Sequence, residues 1–256
     1  MEFIIILLAF VTAILTFFSG FGLGTILLPV FALFFPVEIA IALTGVVHFT
    51  NNLFKITLVG RNTDRDVLLR FGIPAVVASF AGAWLMLRLT GMQALLQYNF
   101  LGKEAVITPV KLIIAVLLII FSVMEIVPQS GKMQFNRKLL PVGGVLSGFF
   151  GGLAGIQGAV RSAFLIKSGL SKESYIATGV VIASLVDITR LSVYISRFRA
   201  SGIKENIVLV ISATLAAMAG AFIGSRLLKK ITLRFIQILV GVMLIVISIA
   251  LGAGII

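Results

Sequence analysis

Charge-free stretches alternate with short polar loops along nearly the whole chain, and their lengths suit helices that cross a bilayer. About 20 apolar residues at a rise of about 1.5 Å each span a hydrocarbon core of about 30 Å. Spans are predicted near Glu38–Val59, Val67–Leu89, Thr108–Val127, Lys172–Ser196, Asn206–Arg226 and Leu233–Gly254. They are separated by polar loops such as Arg61-Asn62-Thr63-Asp64-Arg65-Asp66 and Arg197-Phe198-Arg199. Two segments have a different build. Phe3 to Val37 runs 35 residues without a charge, and at about 52 Å as one helix it is too long for one upright span and too short for two. It is interrupted by Ser19-Gly20-Phe21-Gly22-Leu23-Gly24, and Leu139–Ile166 is interrupted likewise between Gly148 and Gly158. Clustered glycine reads as a helix break. The alternative is close helix packing, because Gly144, Gly148 and Gly152 stand at small-xxx-small spacing, which Gly20, Gly22 and Gly24 do not.

The residues beyond each break are also alike. Thr44-Gly45-Val46-Val47 lies 20 residues after Gly24, and Thr178-Gly179-Val180-Val181 lies 20 residues after Gly158. Ala81-Gly82-Ala83 with Arg88-Leu89 matches Ala219-Gly220-Ala221 with Arg226-Leu227. The expected fold is therefore an all-α polytopic membrane protein of two repeats, each a glycine-broken segment, re-entrant or discontinuous, plus three transmembrane helices. The first repeat would be 1–127, a basic central loop 128–138, and the second repeat 139–256.

Composition removes whole classes of function. With 60% hydrophobic and 12% charged residues and a mean hydropathy of +1.19, the chain cannot be a water-soluble globular domain, which has about 25% charged residues to cover its surface. It has no cysteine and one histidine, so thiolate sites, disulfides and multi-histidine metal clusters are excluded, and no cofactor or metal is expected. No Ser/His/Asp, paired-carboxylate or HExxH arrangement is present, so an enzyme is not expected. The net charge of +12 is read as the basic bias of cytoplasmic loops rather than a nucleic-acid surface. Glu2 stands where a secretory signal would have a basic region, so the N-terminal segment is assigned to the mature fold.

Loop charge also bears on topology. If both broken segments cross the membrane, Lys and Arg divide nine to nine between the two sides; if each is a hairpin returning to its own side, they divide twelve to six. The second count is a proper positive-inside bias. It puts both termini outside and inverts the second repeat relative to the first, an architecture found in many secondary transporters.

The glycine-broken segment with Phe21-Gly22-Leu23-Gly24, its return after a basic loop as Gly151-Gly152-Leu153-Ala154-Gly155, and the Thr-Gly-Val-Val helix after each resemble the sulfite exporter TauE/SafE family of membrane permeases. The resemblance covers nearly the whole chain. It implies a multi-pass carrier of the cytoplasmic (inner) membrane that moves small anions, typically sulfur oxyanions or organosulfonates such as sulfite or sulfoacetate.

Polar residues at membrane depth are expensive and hence candidates for function. His48, Asn51, Asn52 and Lys55 stand at i, i+3, i+4 and i+7, one face of a helix, and offer an anion several donors; His48 can also carry a proton. The alternative is an interhelical hydrogen-bond seam, with Lys55 snorkelling toward Arg61. The stripe is not duplicated, since the corresponding positions are Ile182, Leu185, Val186 and Thr189. Asp187 and Arg190, at i and i+3, are expected to neutralise each other or to act with Lys55 in coupling or gating. Arg161 comes after the Gly158 break with no acidic neighbour in sequence, and a guanidinium so placed seeks a carboxylate or an oxyanion. With Gln157 beside it and half-helix N-termini at Gly22–Thr25 and Gly155–Ala159 favouring negative charge, the candidate substrate site comprises Gly22, Gly24, His48, Asn51, Asn52, Gly155, Gln157, Gly158 and Arg161. Trp84 and Tyr98 are expected at the membrane interface, as is Glu125, and Gly220-Ala221-Phe222-Ile223-Gly224 is a candidate homodimer motif. Partners are then a small anion and the lipid bilayer. The expected function is alternating-access transport of that anion, with an anion channel or a non-transporting intramembrane protein as rivals.

Overall fold

The computed structural model describes residues 2–16, 23–127, 136–166, 168–198, 207–227 and 233–256. The expected break around Gly20 and Gly22 and most of the central basic loop lie outside the described residues. In chain order the helices are α1 (Glu2–Thr16), α2 (Leu23–Ala32), α3 (Val37–Val59) and a short α4 (Arg65–Val67), which passes through a π-helical turn into α5 (Ile73–Thr90). A β-hairpin comes next, β1 (Leu96–Phe100) and β2 (Lys103–Ile107), then α6 (Pro109–Ile126), α7 (Leu140–Ala154), α8 (Gly158–Leu165), α9 (Lys172–Phe198), α10 (Ile207–Leu227) and α11 (Leu233–Gly252). Among the described residues, Ile39–Asn62, Arg65–Thr90, Lys172–Tyr194 and Ile207–Gly224 are long and apolar enough to cross a membrane, and Pro109–Met124 and Gly241–Gly252 are shorter apolar runs.

α5 is apolar outward and small or polar inward. α5 exposes Ile73, Val77, Phe80 and Trp84 along one stripe and buries Ala75, Ser79, Gly82 and Ala83. Lipid does not drive helices together by hydrophobicity, so close backbone approach and polar contacts must do it. α1 packs on α10, α5 on α7, α3 on α9 and α6 on α11, while α2 leans on α3 and α8 on α9. Along α7, a Cβ added at Gly144, Gly148 or Gly152 would lie 2.3, 2.1 and 2.0 Å from the carbonyl oxygens of Phe71, Ala75 and Ser79. These glycines therefore serve packing, the alternative that their spacing allows. The break comes just after them: α7 ends at Ala154, Gly155 takes a left-handed φ of 76°, and helix resumes at Gly158. Gly220 of α10 meets the Phe10 carbonyl of α1 in the same way, with an added Cβ 2.2 Å away, so the glycine that opens the candidate dimer motif is used inside the chain.

The hairpin is an element that the hydrophobic pattern does not predict. The Tyr98 hydroxyl donates to the Ala253 carbonyl at 2.6 Å and the Val106 N–H donates to the Gly254 carbonyl at 3.1 Å, so the hairpin clasps the end of α11. Trp84 is half exposed with the Arg88 guanidinium 4.9 Å from its ring centroid, and Arg226 lies 4.4 Å from that of Phe222. Aromatic and cationic groups stacked at helix ends suit an interface between lipid and water.

Candidate functional site

The middle of α3 meets the middle of α9, and the polar stripe of the first finds a carboxylate on the second. His48 Nδ1 lies 2.6 Å from Asp187 Oδ2, and the Asn52 amide donates to the same oxygen at 3.3 Å. The other oxygen accepts from Arg190 Nε at 2.9 Å, has Arg190 Nη2 2.8 Å away, and receives the Gln157 amide at 3.5 Å. Asp187 and Arg190 are 0% exposed and none of these partners exceeds 4%. The Asp187–Arg190 pair expected from the i, i+3 spacing is present. The pairing of His48 with Asp187 joins residues 139 positions apart, and no local spacing signals it.

Each Thr-Gly-Val-Val motif lies against an arginine. A Cβ added at Gly45 would sit 3.5 Å from Arg190 Cζ and Nη2, and one at Gly179 would sit 3.5 Å from Arg161 Nε. Gly155 is more confined: its φ of 76° places the added Cβ 2.3 Å from Arg190 Nη1. Gly24, at the start of α2, approaches the same turn, with its added Cβ 3.3 Å from the Gly155 carbonyl oxygen and 3.7 Å from the His48 ring. The first turn of α2, the end of α7 and the Gln157 turn into α8 thus converge beside the α3–α9 cluster. Ser147 ties that turn down by donating to the Gln157 carbonyl at 3.1 Å, and Gly158 opens α8 as a buried residue.

Arg161 is half-buried and its Nη1 donates to Gln157 Oε1 at 3.1 Å, while no ion pair to it is found among the described residues. Gln157 therefore bridges Arg161 to Asp187. Lys55 is buried, 6% exposed, rather than snorkelling toward Arg61. The Glu125 side chain and residue Gly22 lie outside the described residues. Several polar atoms in this region have no hydrogen-bond partner: Thr44 Oγ1, both side-chain amide atoms of Asn51, and Nη1 of Arg190, whose Nη2 is close to Asp187 but off hydrogen-bond alignment. Thr44, His48, Asn51 and Lys55 share one face of α3. A buried polar group left unpaired costs about 1–3 kcal/mol, so each of these atoms calls for an explanation. Among the described residues no group of His, Cys, Asp or Glu is arranged to hold a metal.

Apolar helices with a polar cluster buried at their crossing define a multi-pass helical membrane protein. Over residues 5–251 the chain matches the family of the sulfite exporter TauE/SafE, and it belongs to that family of membrane transporters. Comparison with curated proteins and with solved structures finds no match.

Proposed function

We propose that the protein is a secondary transporter of the cytoplasmic membrane that carries a small sulfur oxyanion or organosulfonate by alternating access, with the anion bound where α2, α8, α3 and α9 converge. The observation that carries this reading is the set of buried donors without protein partners, Arg190 Nη1 and the Asn51 amide, next to Arg161 on the first turn of α8. A guanidinium offers an oxyanion paired hydrogen bonds, and the N-terminus of a helix adds a favourable field.

The pattern of helix partners supports two structurally equivalent repeats. Exchanging α1 with α7, α2 with α8, α3 with α9, α5 with α10 and α6 with α11 turns α1·α10 into α7·α5 and α2·α3 into α8·α9, and leaves α3·α9 and α6·α11 unchanged. With three crossings in each inverted repeat the termini share one side, and the twelve-to-six loop charge makes that side extracytoplasmic. Cysteines at Glu2 and Ile256 should then react with an impermeant maleimide from outside intact cells, and protection of both would overturn the hairpin topology.

Arg161 tests the site itself. Charge-assisted hydrogen bonds contribute about 1.5–3 kcal/mol, so Arg161→Ala should weaken sulfoacetate binding by roughly tenfold to a hundredfold, with Arg161→Lys in between. Affinity and thermal stability are measured together, and a large loss of stability with unaltered affinity would make Arg161 part of the scaffold. In proteoliposomes a carrier shows counterflow of labelled sulfoacetate, whereas a channel passes current without it.

A further inference from the structure

We infer that His48 is the proton-coupling group of this transporter, taking one proton on Nε2 each time an anion occupies the adjoining site and releasing it when the anion leaves. The inference rests on the permease reading and adds to it the coupling ion and the atom that carries it.

The hydrogen bonds fix the roles. With Nδ1–H donated to Asp187 at 2.6 Å, the neutral ring keeps its one lone pair on Nε2, so a second proton can enter only there. Asp187 is not the carrier: Arg190 already neutralises it through Nε and Nη2 at 2.9 and 2.8 Å, and both its oxygens accept hydrogen bonds that require the carboxylate. The Asn52 amide nitrogen lies 3.2 and 3.4 Å from the two ring nitrogens and donates to Asp187 Oδ2 at 3.3 Å.

Charge accounting links the proton to the anion. The groups facing His48 are Asp187 and Arg190 from α9, Arg161 from α8, and Lys55 one helical face along α3. α2 contributes no ionisable side chain, and α10 only Arg226 in its last turn. With the ring neutral, His48, Asp187 and Arg190 sum to zero and Arg161 and Lys55 add two positive charges; imidazolium raises the total to three. That excess is costly at membrane depth unless an anion joins it. The anion favours the proton, the proton favours the anion by the same factor, and the pair crosses with less net charge than the anion alone.

One histidine in the chain makes the test direct. Protein labelled with 15N-histidine and purified without a polyhistidine tag gives a single imidazole signal. Saturating sulfoacetate at pH 7 should raise its imidazolium fraction about twofold or more. In proteoliposomes, His48→Gln should lower accumulation driven by a pH gradient by about tenfold or more, and by more than it lowers sulfoacetate counterflow, because exchange needs no net proton movement. Wild-type counterflow with an imidazole signal indifferent to sulfoacetate, and gradient-driven accumulation persisting in His48→Gln, would overturn the inference and leave the permease reading standing. No counterflow in the wild type would remove the permease reading and the coupling with it.

Discussion

Replacing Asp187 by alanine is expected to cost about 3–5 kcal/mol of stability, the scale for removing one partner of a buried ion pair. The reason is local. Arg190 is 0% exposed and would keep its charge with no carboxylate, while His48, Asn52 and Gln157 would each lose an acceptor. Unfolding in mixed micelles measures the loss, and a change below about 1 kcal/mol would mean that the cluster is already hydrated. The double variant Asp187→Leu/Arg190→Met separates structure from function. Replacing both ions by apolar side chains of similar volume is close to neutral in many proteins, so the double variant should regain most of the stability and none of the transport.

Gly155→Ala should reduce transport at least about tenfold with membrane insertion intact. Two effects combine. Alanine in a left-handed conformation costs about 1–2 kcal/mol, and its Cβ would collide with Arg190 Nη1, 2.3 Å away, displacing the guanidinium from Asp187. Gly169 isolates the first effect, since its φ is 77° with nothing within 4 Å of an added Cβ; Gly169→Ala carries the strain without the displacement and should transport within about twofold of wild type. Gly179→Ala, whose Cβ would meet Arg161 Nε at an ordinary 3.5 Å, should also be mild. Normal flux through Gly155→Ala would show that the position of Arg190 is immaterial to transport.

How much of the fold and site is legible in the sequence depends on the range of the signal. Spans are legible because the bilayer imposes a length on them, and the Asp187–Arg190 pair because helical spacing of three places side chains together. The glycines of α7 admit two readings, and both are present, three residues apart: packing at Gly144, Gly148 and Gly152, a break at Gly155. His48 with Asp187 is hidden because tertiary contacts between distant helices leave no periodic trace in one sequence. The hairpin at Leu96–Ile107 is hidden for another reason. Its first strand alternates apolar Leu96, Tyr98 and Phe100 with polar Gln97 and Asn99, but strands of five residues are far shorter than the apolar windows that mark spans. The turn uses Leu101 at a φ of 49°, where turn chemistry favours Asn or Gly.

The pairing of α1 with α10 has a consequence for how the protein is made. Residues 2–16 leave the ribosome almost 200 residues before Ile207–Leu227, a delay of about 10–40 s at 5–20 residues per second. For that interval the Phe10 carbonyl face of α1 has no Gly220 to receive it, and a helix of 15 residues must be sheltered by lipid or by the insertion machinery. α7 emerges after its own partner α5 with only one intervening helix. The second half of the chain can thus assemble as it emerges, whereas α1 is synthesised early and meets its partner late.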